Sequence, residues 1–440
     1  MQATAANGAV RYRLLEPLRQ YAWELLAASG EQEALQLQHA RYFVALAEGL
    51  APVLASADRG AALDLLERSL DNLRAALAWA LPGSSEQQPA DGPELGLRLA
   101  TALLWFWHFR GSRAESFRWL ELALPRLDAV DGMTAAMALY AAGDLAWLLG
   151  KYEIARARLE QSVGRWRSLG DVRGLAYALQ ALACAADAAM PARWDAINES
   201  IALFQRAGDE WGGALARFSA SFLALEEGDH AGARERMLDA LARYRGLGDD
   251  WFAAQILNDL GDVARGGRRY AAAASRYSQS LALLEKCGDS AAILPSILYN
   301  LGVVALRRGQ TRRALQNLRQ ALAHFRDRGD QRGIAECLIG LGGVLGAMQQ
   351  PERAVRLYGA AEALLARGGV GLWSTNRAEY AHDRAAVRAQ LSEETFVHAW
   401  AAGQALSMTQ VLAEVLPDQD PAVSPAASAK PRTYPRASGA

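Results

Sequence analysis

Five side chains with binding chemistry stand in a stretch of sequence that otherwise favours alanine, leucine and glycine. They are Asn258, Asp262, Tyr299, Asn300 and Arg307. An apolar helix contact would place leucine or alanine there, and a buried polar group without a partner costs about 1–3 kcal/mol. We therefore expect all five side chains to face solvent in a groove. Tyrosine and arginine are enriched among binding hot spots, so the pattern predicts recognition of a ligand or partner.

Each of these residues has its own predicted role. Tyr299 would anchor the ligand, Asn258 and Asn300 would hydrogen-bond a peptide backbone or a polar effector, and Arg307 would pair with an acidic group. Three more polar or aromatic residues are expected on the same inner face, namely Tyr140, Asp144 and Gln255. The alternative is a groove that is merely hydrated.

Residue types and spacings typical of catalysis or metal binding are missing from the sequence. The six histidines form no HExxH motif, the three cysteines form no CxxC pair, and no GxSxG occurs. Without GxxxxGK[ST], no phosphate cradle for ATP is expected. The glycine-rich stretch 340–346 departs from GxGxxG, because Leu345 takes the place of the third glycine. We expect no enzymatic activity, no cofactor and no metal.

Two clusters allow both a functional and a structural interpretation. A basic run could hold an acidic or phosphate-bearing partner, or could be a solvated edge, which we favour. An aromatic run could stack nucleic-acid bases, but few basic residues interleave with it, so helix packing is favoured. The basic residues are Arg307, Arg308, Arg312, Arg313 and Arg319, with Arg265, Arg268 and Arg269 one repeat earlier. The aromatic residues are Trp105, Phe106, Trp107 and Phe109.

The composition favours a helical, soluble protein. Apolar residues make up 51% of the 440 positions, and Ala, Leu, Arg, Glu and Gln are strong helix formers. With 47 basic and 48 acidic side chains the net charge is −1, without the basic excess of a nucleic-acid binder. No signal peptide is recognisable, and the longest apolar run, 133–150, carries Asp144. We expect a cytoplasmic protein that contacts neither nucleic acid nor membrane.

An internal repeat of about 40 residues positions these side chains. A Gly-Asp pair recurs at intervals of 38 to 41 residues, and in four repeats another glycine lies 27 residues before the pair position. The pairs begin at Gly170, Gly208, Gly248, Gly288 and Gly329, and Gly369 continues the series. The earlier glycines are Gly143, Gly261, Gly302 and Gly342. Such a period indicates an array of helix pairs.

Each repeat is predicted to hold two helices, A and B. A small residue in helix A lets helix B approach closely, since side-chain size sets helix separation at roughly 8–10 Å. Gly150, Gly228 and Gly309 would end A helices in the left-handed conformation. The aspartate of each Gly-Asp pair would cap the next A helix. One pair cannot bury its apolar face alone, so the pairs must stack.

This pattern resembles the tetratricopeptide repeat over about residues 95–369. In the fifth repeat Leu301, Gly302, Gly309, Ala314 and Ala321 match the family's small and apolar positions in order. The period exceeds the family's usual 34 residues. The longer form is known from sensor regions of bacterial signalling ATPases.

Both ends of the chain resemble parts of STAND-class ATPases, which combine a P-loop NTPase, a winged helix and a tetratricopeptide sensor. RYRLLE resembles the last strand of the winged helix, and LRQYAWELL the helix that leaves it. PERAVRLYGAAEALLARGG and the following RAEYAHDRAAVRAQL resemble the end of the sensor, which in some relatives precedes a LuxR-type helix-turn-helix. Here no P-loop occurs, and a Pro/Ala/Ser-rich segment follows Leu416.

We therefore predict an all-α protein, a right-handed α-α superhelix of tetratricopeptide-like repeats with a short N-terminal strand remnant. The predicted regions are a winged-helix remnant with its exit helix (1–30), a helical adaptor (31–94), repeats (95–370), capping helices (371–416) and a disordered tail (417–440). The predicted function is a non-catalytic sensor or interaction module of a bacterial regulator, with a protein or small-molecule effector in the groove. The alternative is a free-standing adaptor for protein assembly.

Overall fold

The chain folds almost entirely into helices. A computed structural model describes residues 2–6, 9–13, 16–81, 91–110, 112–187, 192–287, 292–372 and 374–416. Two short strands, β1 (Gln2–Ala6) and β2 (Ala9–Arg13), pair antiparallel at the N-terminus. The predicted cap at Asp289, most of the polar loop at 82–93 and the predicted tail at 417–440 lie outside the described residues. The chain divides into two compact units, Met1–Asp229 and His230–Ala440.

The N-terminal unit holds twelve α-helices within the described ranges. They are α1 (Glu16–Ser29), α2 (Gln32–Leu54), α3 (Gly60–Arg68), α4 (Leu70–Ala80), α5 (Gly92–Ala102), α6 (Leu104–Phe109), α7 (Arg113–Ala123), α8 (Gly132–Leu148), α9 (Tyr152–Leu169), α10 (Val172–Ala185), α11 (Ala192–Ala207) and α12 (Glu210–Glu226). Helices α3 and α4 are separated at Ser69, whose hydroxyl donates a hydrogen bond to the Leu65 carbonyl oxygen at 2.8 Å.

The aromatic run of α6 packs inside the N-terminal unit. Phe106, Trp107 and Phe109 are buried, and the Trp105 ring meets the Trp211 ring edge-on at 5.2 Å. Base stacking would need exposed ring faces, so the structural interpretation of this run is confirmed. Arg193, which occupies a position where the repeat favours a small residue, is also buried. Its guanidinium bonds the Ala183 carbonyl oxygen at 3.0 Å and the Glu226 carboxylate at 2.6 Å.

The C-terminal unit holds ten α-helices within the described ranges. They are α13 (His230–Gly246), α14 (Asp250–Gly266), α15 (Tyr270–Cys287), α16 (Leu294–Arg307), α17 (Thr311–Asp327), α18 (Gln331–Ala347), α19 (Pro351–Gly368), α20 (Ser374–Arg388), α21 (Glu393–Ala405) and α22 (Met408–Val415). Three A/B pairs follow one another in it, α14 with α15, α16 with α17 and α18 with α19. The apolar faces of α16, α17, α18 and α19 form one core that also takes up side chains of α20, α21 and α22.

The small positions of the A helices are sites of close approach by the B helices, as predicted. A Cβ on Gly143 would lie 2.5 Å from the Leu159 side chain, and one on Gly302 would lie 2.7 Å from Leu318. In two further pairs the corresponding contacts join Gly261 to Tyr277 and Gly342 to Tyr358. The B-helix residue is always 16 positions further along the chain. Shape at one repeated position therefore sets how closely the two helices of a pair approach.

The predicted helix ends are confirmed at described positions. Gly150, Gly228 and Gly309 all have positive φ, between 71° and 80°. Asp171, Asp209, Asp249 and Asp330 each accept a hydrogen bond from the backbone N–H three residues later, at the start of an A helix. These bonds satisfy N–H groups that the helix itself leaves unpaired.

The glycine-rich stretch 340–346 lies inside helix α18 and not in a loop, which rules out a nucleotide-binding loop there. Each glycine faces a different neighbour. Gly340 lies against Leu318, Gly343 against Asp383 and Gly346 against Val387. The missing side chains therefore make room for surrounding elements, including α20.

Within the described ranges, no helix has both the length and the apolar character needed to cross a bilayer.

Substituting Gly302 with alanine is expected to lower the free energy of unfolding by about 1 kcal/mol, because the new methyl overlaps Leu318 in a filled core. Gly164→Ala is the matched control. It lies mid-helix with nothing within 4 Å of its would-be Cβ, so it should stabilise by about 0.5–1 kcal/mol. Urea denaturation followed by circular dichroism measures both, and equal effects of the two changes would contradict the assigned close approach.

Candidate functional site

Helix α20 lies across the three A helices of the C-terminal unit. Asn376 and Glu379 reach Arg265 on α14, Asp383 reaches Arg307 on α16, and Val387 meets α18 at Gly346. The part of α14, α16 and α18 that faces α20 is called the A face below. It includes the region where the sequence predicts a ligand groove.

Arg265 is the most deeply buried charge of the A face, with 3% of the residue exposed. One terminal nitrogen (Nη2) donates to the Asn376 Oδ1 atom at 2.6 Å and lies 3.4 Å from the Asp262 carboxylate. The other (Nη1) lies 3.6 Å from the Glu379 carboxylate. Burial opposes the charged form, but the neighbouring carboxylates outweigh it, so the Arg265 pKa lies above its usual value. The guanidinium stays charged and is compensated partly from α20.

The two carboxyl groups beside Arg265, those of Asp262 and Glu379, are costly to ionise. Burial raises the pKa of Asp262, although Arg265 and a 2.7 Å hydrogen bond donated by the Tyr277 hydroxyl lower it in part. Burial likewise raises the pKa of Glu379, against the opposing effect of Arg265 and Arg307. Both groups therefore depend on the arginines to stay ionised in this environment.

Arg307 makes a two-pronged ion pair with Asp383 of α20. Its two terminal nitrogens donate to the two carboxylate oxygens at 2.6 and 2.8 Å. Both side chains are largely buried, at 15% and 14% exposure. Burial opposes the charge of Arg307, but the bond to Asp383 more than compensates, so its pKa is raised. Arg307 was predicted to bind an acidic group, and in this structure the acid comes from the same chain.

The expectation that the five predicted residues face solvent is wrong for four of them. Arg307 is largely buried in its pair with Asp383, and the other three are buried more deeply. Asn258, Tyr299 and Asn300 are each only 5% exposed. Asn300 donates to the Asn258 side-chain oxygen at 3.0 Å, and Asn258 donates to Asp259 at 3.1 Å, so polar partners make their burial tolerable. Burial raises the pKa of Tyr299 well above its usual value.

The other predicted groove residues are divided between the two units. Gln255 donates to Asp259 at 3.2 Å and therefore belongs to the polar network beside the A face. Tyr140 and Asp144 lie on α8 of the N-terminal unit, where Asp144 is 3.9 Å from His108. Burial raises the pKa of Asp144 to about 6 and lowers that of His108 to about 3. The sequence did not distinguish these separate settings, because every A helix follows the same pattern.

The basic run is split by the fold. Arg265 and Arg307 end their A helices and turn toward α20, whereas Arg268, Arg269, Arg312 and Arg313 are exposed around the starts of α15 and α17. Two of the eight arginines thus belong to the A face. These four and Arg308, which is also exposed, fit the solvated edge that the sequence favoured.

Sequence reasoning missed the partners that α20 supplies. Asn376, Glu379, Asp383 and Val387 are spaced by three, four and four residues, which places them on one helix face. That spacing was available in the sequence, but it does not say which surface the face will meet. Within the residues that the structure describes, no group of three or more His, Cys, Asp or Glu side chains could hold a metal ion.

Asp259 gives the polar network a pH dependence. Burial, with a smaller effect of Asp262, raises its pKa to about 7. An aspartate of the unfolded chain titrates near about 3.9, so the folded state binds this proton more tightly. The resulting stability is present below the unfolded pKa and is lost as pH rises through about 7.

Replacing Asp259 with asparagine should raise the free energy of unfolding by about 1–2 kcal/mol near pH 8, because the cost of ionising a half-buried carboxyl disappears. This gain in the free energy of unfolding should become smaller toward pH 4, where the native carboxyl is already protonated. Exposed Asp327→Asn serves as the control and should give no such pH-dependent difference. Thermal denaturation at several pH values tests this, and a benefit that grows toward low pH would contradict it.

Comparisons with known proteins agree with the helical repeat. The tetratricopeptide repeat family model matches residues 294–367. Over 219 residues the chain is 32% identical to Mycobacterium bovis and Mycobacterium tuberculosis proteins designated HTH-type transcriptional regulators. That match covers 48% of this chain and 24% of the relatives, so the chain spans about a quarter of their length.

Two solved structures align with much of the chain. A Rap protein complexed with competence and sporulation factor has a TM-score of 0.51 at 12% identity, covering 85% of this chain and all of that one. A STAND protein with a tetratricopeptide repeat sensor from Pyrococcus horikoshii has a TM-score of 0.46 at 14% identity, covering 74% of this chain and 54% of that one.

The fold defines an all-α helical-repeat protein. More specifically, residues 294–367 are a tetratricopeptide repeat region, and the described A/B pairs share its architecture. About half of the chain is also similar to part of the mycobacterial regulators.

Proposed function

We propose that this chain is a non-catalytic sensor or interaction module of a bacterial signal-transduction or transcriptional regulator. The observation that carries the proposal is the A face, where the buried cations of Arg265 and Arg307 are met by acidic groups of a crossing helix. A surface of this kind recognises a ligand by charge and shape and needs no reacting group. Concave faces of stacked repeats are the usual contact sites of such proteins.

The proposed ligand is a protein segment or a peptide effector, with a small polar effector as the narrower case. Arg307 would supply the cation that holds an acidic ligand group, and Asp262 would keep Arg265 charged. Asn258, Tyr299 and Asn300 would form the floor of the site and not its exposed anchors, since all three are buried. The Rap protein that shares the fold was solved with competence and sporulation factor bound, which supports the choice of ligand class.

The proposed setting is a larger regulator related to the STAND and LuxR groups. The mycobacterial relatives designated HTH-type regulators support it, as does the antiparallel strand pair that precedes α1. In this arrangement residues 1–30 derive from a winged helix, 31–94 form an adaptor, 95–370 form the sensor repeats and 371–416 cap them. Cytoplasmic action without direct DNA contact by this chain completes the proposal.

A ligand search with a positional readout tests the function. A displayed library of short peptides would be panned against the full chain, and enriched peptides measured by fluorescence anisotropy. A benzophenone side chain would replace Leu306, which lies at the A face beside Gly343. In a control protein it would replace exposed Arg313 at the start of α17.

We expect saturable peptide binding and photo-crosslinking at position 306 but not at 313. Crosslinking only at 313 would move the site to the exposed arginines. Absence of saturable peptide binding would overturn the proposed ligand class.

A further inference from the structure

We propose that α20 is an exchangeable ligand built into the chain: it fills the A face, and a partner binds by placing an acidic helix of its own there. This inference rests on the proposed function and names the partner class for the same site. It predicts that the A face is closed in the structure described and opens when α20 leaves.

The first support is the geometry of the α20 contact. The residues that meet α14, α16 and α18 lie on one side of α20, and they meet the three A helices in order. From Asn376 to Val387 a helix advances about 16 Å, at 1.5 Å per residue. Three neighbouring helices with separations of roughly 8–10 Å span a similar distance. The A face thus accommodates one straight helix laid across it.

The second support is the shape of the α18 surface that contacts α20. A Cβ on Gly343 would lie 2.9 Å from an Asp383 carboxylate oxygen and 3.0 Å from Leu306. A Cβ on Gly346 would lie 2.5 Å from a methyl group of Val387. A bulky side chain at either position would hold α20 away. The A face is therefore shaped to receive a helix and is not merely a hydrated edge.

The third support is the character of the forces that hold α20. On this helix the structure buries only Asn376, Tyr380 and Val387, while most other positions are exposed. Val387 and the Tyr380 ring are its apolar contacts, and Tyr380 packs on Tyr358 of α19 and donates to Glu362 of the same helix. The contacts of α20 with α14 and α16 are polar. By contrast, α21 packs against α19 with backbone in direct contact at Gly359 and Gly403. A helix held mainly by ion pairs can be replaced by another that supplies the same charges.

The connection to α20 allows such an exchange. Helix α19 ends at Gly368, Gly369 caps it with a φ of 61°, and Gly371 follows before α20 begins. Glycine has the greatest backbone freedom of any residue. The segment can therefore change direction while α19 and α21 keep their places.

The chemistry of the incoming segment follows from the partners that Arg265 and Arg307 would lose when α20 leaves. Arg265 would lose Asn376 and Glu379, and Arg307 would lose Asp383. An incoming segment must return acceptors to both guanidinium groups. We infer a helix with an amide or acid at one position and carboxylates three and seven residues later, which is the spacing of 376, 379 and 383.

A reversible disulfide can test whether α20 must leave. The Cβ position of residue 346 lies 3.9 Å from the Val387 Cβ, which suits a disulfide, since bonded cysteines have Cβ atoms about 3.5–4.5 Å apart. The full chain would carry Gly346→Cys with Val387→Cys, and its native Cys184, Cys287 and Cys337 would be replaced by alanine. Gly346→Cys alone, in the same background, is the matched control. Mass spectrometry would confirm the bond and circular dichroism the fold.

The probe is a labelled synthetic peptide with the sequence of residues 372–390, measured by fluorescence anisotropy. It should bind the reduced double-cysteine chain and lose at least about tenfold in affinity on oxidation, equivalent to about 1.4 kcal/mol. Reductant should restore binding, and the single-cysteine control should not respond. A chain with Glu379→Gln and Asp383→Asn should bind the peptide about tenfold more tightly, because its own helix competes less. The same peptide with Glu379→Lys and Asp383→Lys should not bind.

Equal binding to the oxidised and reduced chains would overturn the inference, as would no binding to the Glu379→Gln, Asp383→Asn chain. These failures are distinguishable from failure of the proposed function. If library peptides still crosslink at position 306 while the 372–390 peptide does not bind, the A face takes ligands without exchanging α20.

Discussion

Replacing Arg265 with methionine is expected to lower the free energy of unfolding by about 3–5 kcal/mol near neutral pH. Methionine fills a similar volume, so the loss is electrostatic. The change leaves the half-buried Asp262 and the more deeply buried Glu379 without the cation that now lies 3.4 and 3.6 Å from them. It also removes the donor to Asn376. Exposed Arg312→Met is the matched control and should stay within about 0.5 kcal/mol of the native chain.

The pH dependence of this loss separates charge from packing. Burial already raises the pKa of Asp262 and of Glu379, and Arg265 opposes both shifts. Without Arg265 both pKa values should rise further. A carboxyl with a raised folded pKa contributes stability that is present at low pH and lost as pH rises through that pKa. The variant should therefore fall furthest below the native chain near pH 8, and the gap should narrow toward pH 5.

Urea denaturation of both proteins at several pH values measures the effect. A gap of the same size at every pH would mean that lost packing, and not unpaired charge, causes the destabilisation.

The repeat architecture could be predicted from sequence because its signals are local. A small residue in the A helix, a glycine at the turn and an aspartate cap each act within one helix pair or its immediate neighbour. Gly302 against Leu318 and Asp330 on the Gly333 N–H illustrate contacts whose partners lie at fixed distances along the chain. Period and residue type were enough to place them.

The surroundings of the candidate site could not be predicted in the same way. Arg265 and Asn376 are 111 positions apart, and Arg307 and Asp383 are 76 apart. No repeat relates α20 to the A helices, so periodicity could identify which helices pair but not which later helix returns to cover them. The expected solvent exposure of Tyr299 failed for this reason. Arg307 was predicted to pair with an acidic group of a ligand, whereas in the structure its largely buried guanidinium pairs with Asp383 of the same chain.

The burial of polar residues in the A helices could not be predicted from residue type alone. Asn258 and Asn300 were expected in solvent because unpaired buried amides are costly. They are buried because they pair with each other across neighbouring A helices at 3.0 Å. Such a pair requires polar residues at corresponding positions in two repeats. The two asparagines are 42 residues apart, which is close to one repeat length. Searching for polar residues at the repeat spacing would have predicted the pair.

Substituting Gly403 with alanine is expected to lower the free energy of unfolding by about 3 kcal/mol, the upper end of the usual cost of overpacking. The new methyl would overlap the Arg356 carbonyl oxygen on α19, and backbone cannot rotate away as a side chain can. Gly359 makes the reciprocal approach to the Trp400 carbonyl oxygen, so the two helices meet backbone to backbone. Moving α21 outward would expose Phe396 and weaken the C-terminal part of the core.

The direction of the change in stability separates overpacking from helix propensity. Alanine is a better helix former than glycine by about 1 kcal/mol in a helix interior. Propensity alone would therefore make Gly403→Ala stabilising, as expected for Gly164→Ala, where no neighbour is within 4 Å. Thermal denaturation of the two variants should move in opposite directions. If Gly403→Ala melts at or above the native temperature, α21 does not pack directly on the α19 backbone. The contrast between a firmly packed α21 and an exchangeable α20 would then lose its basis.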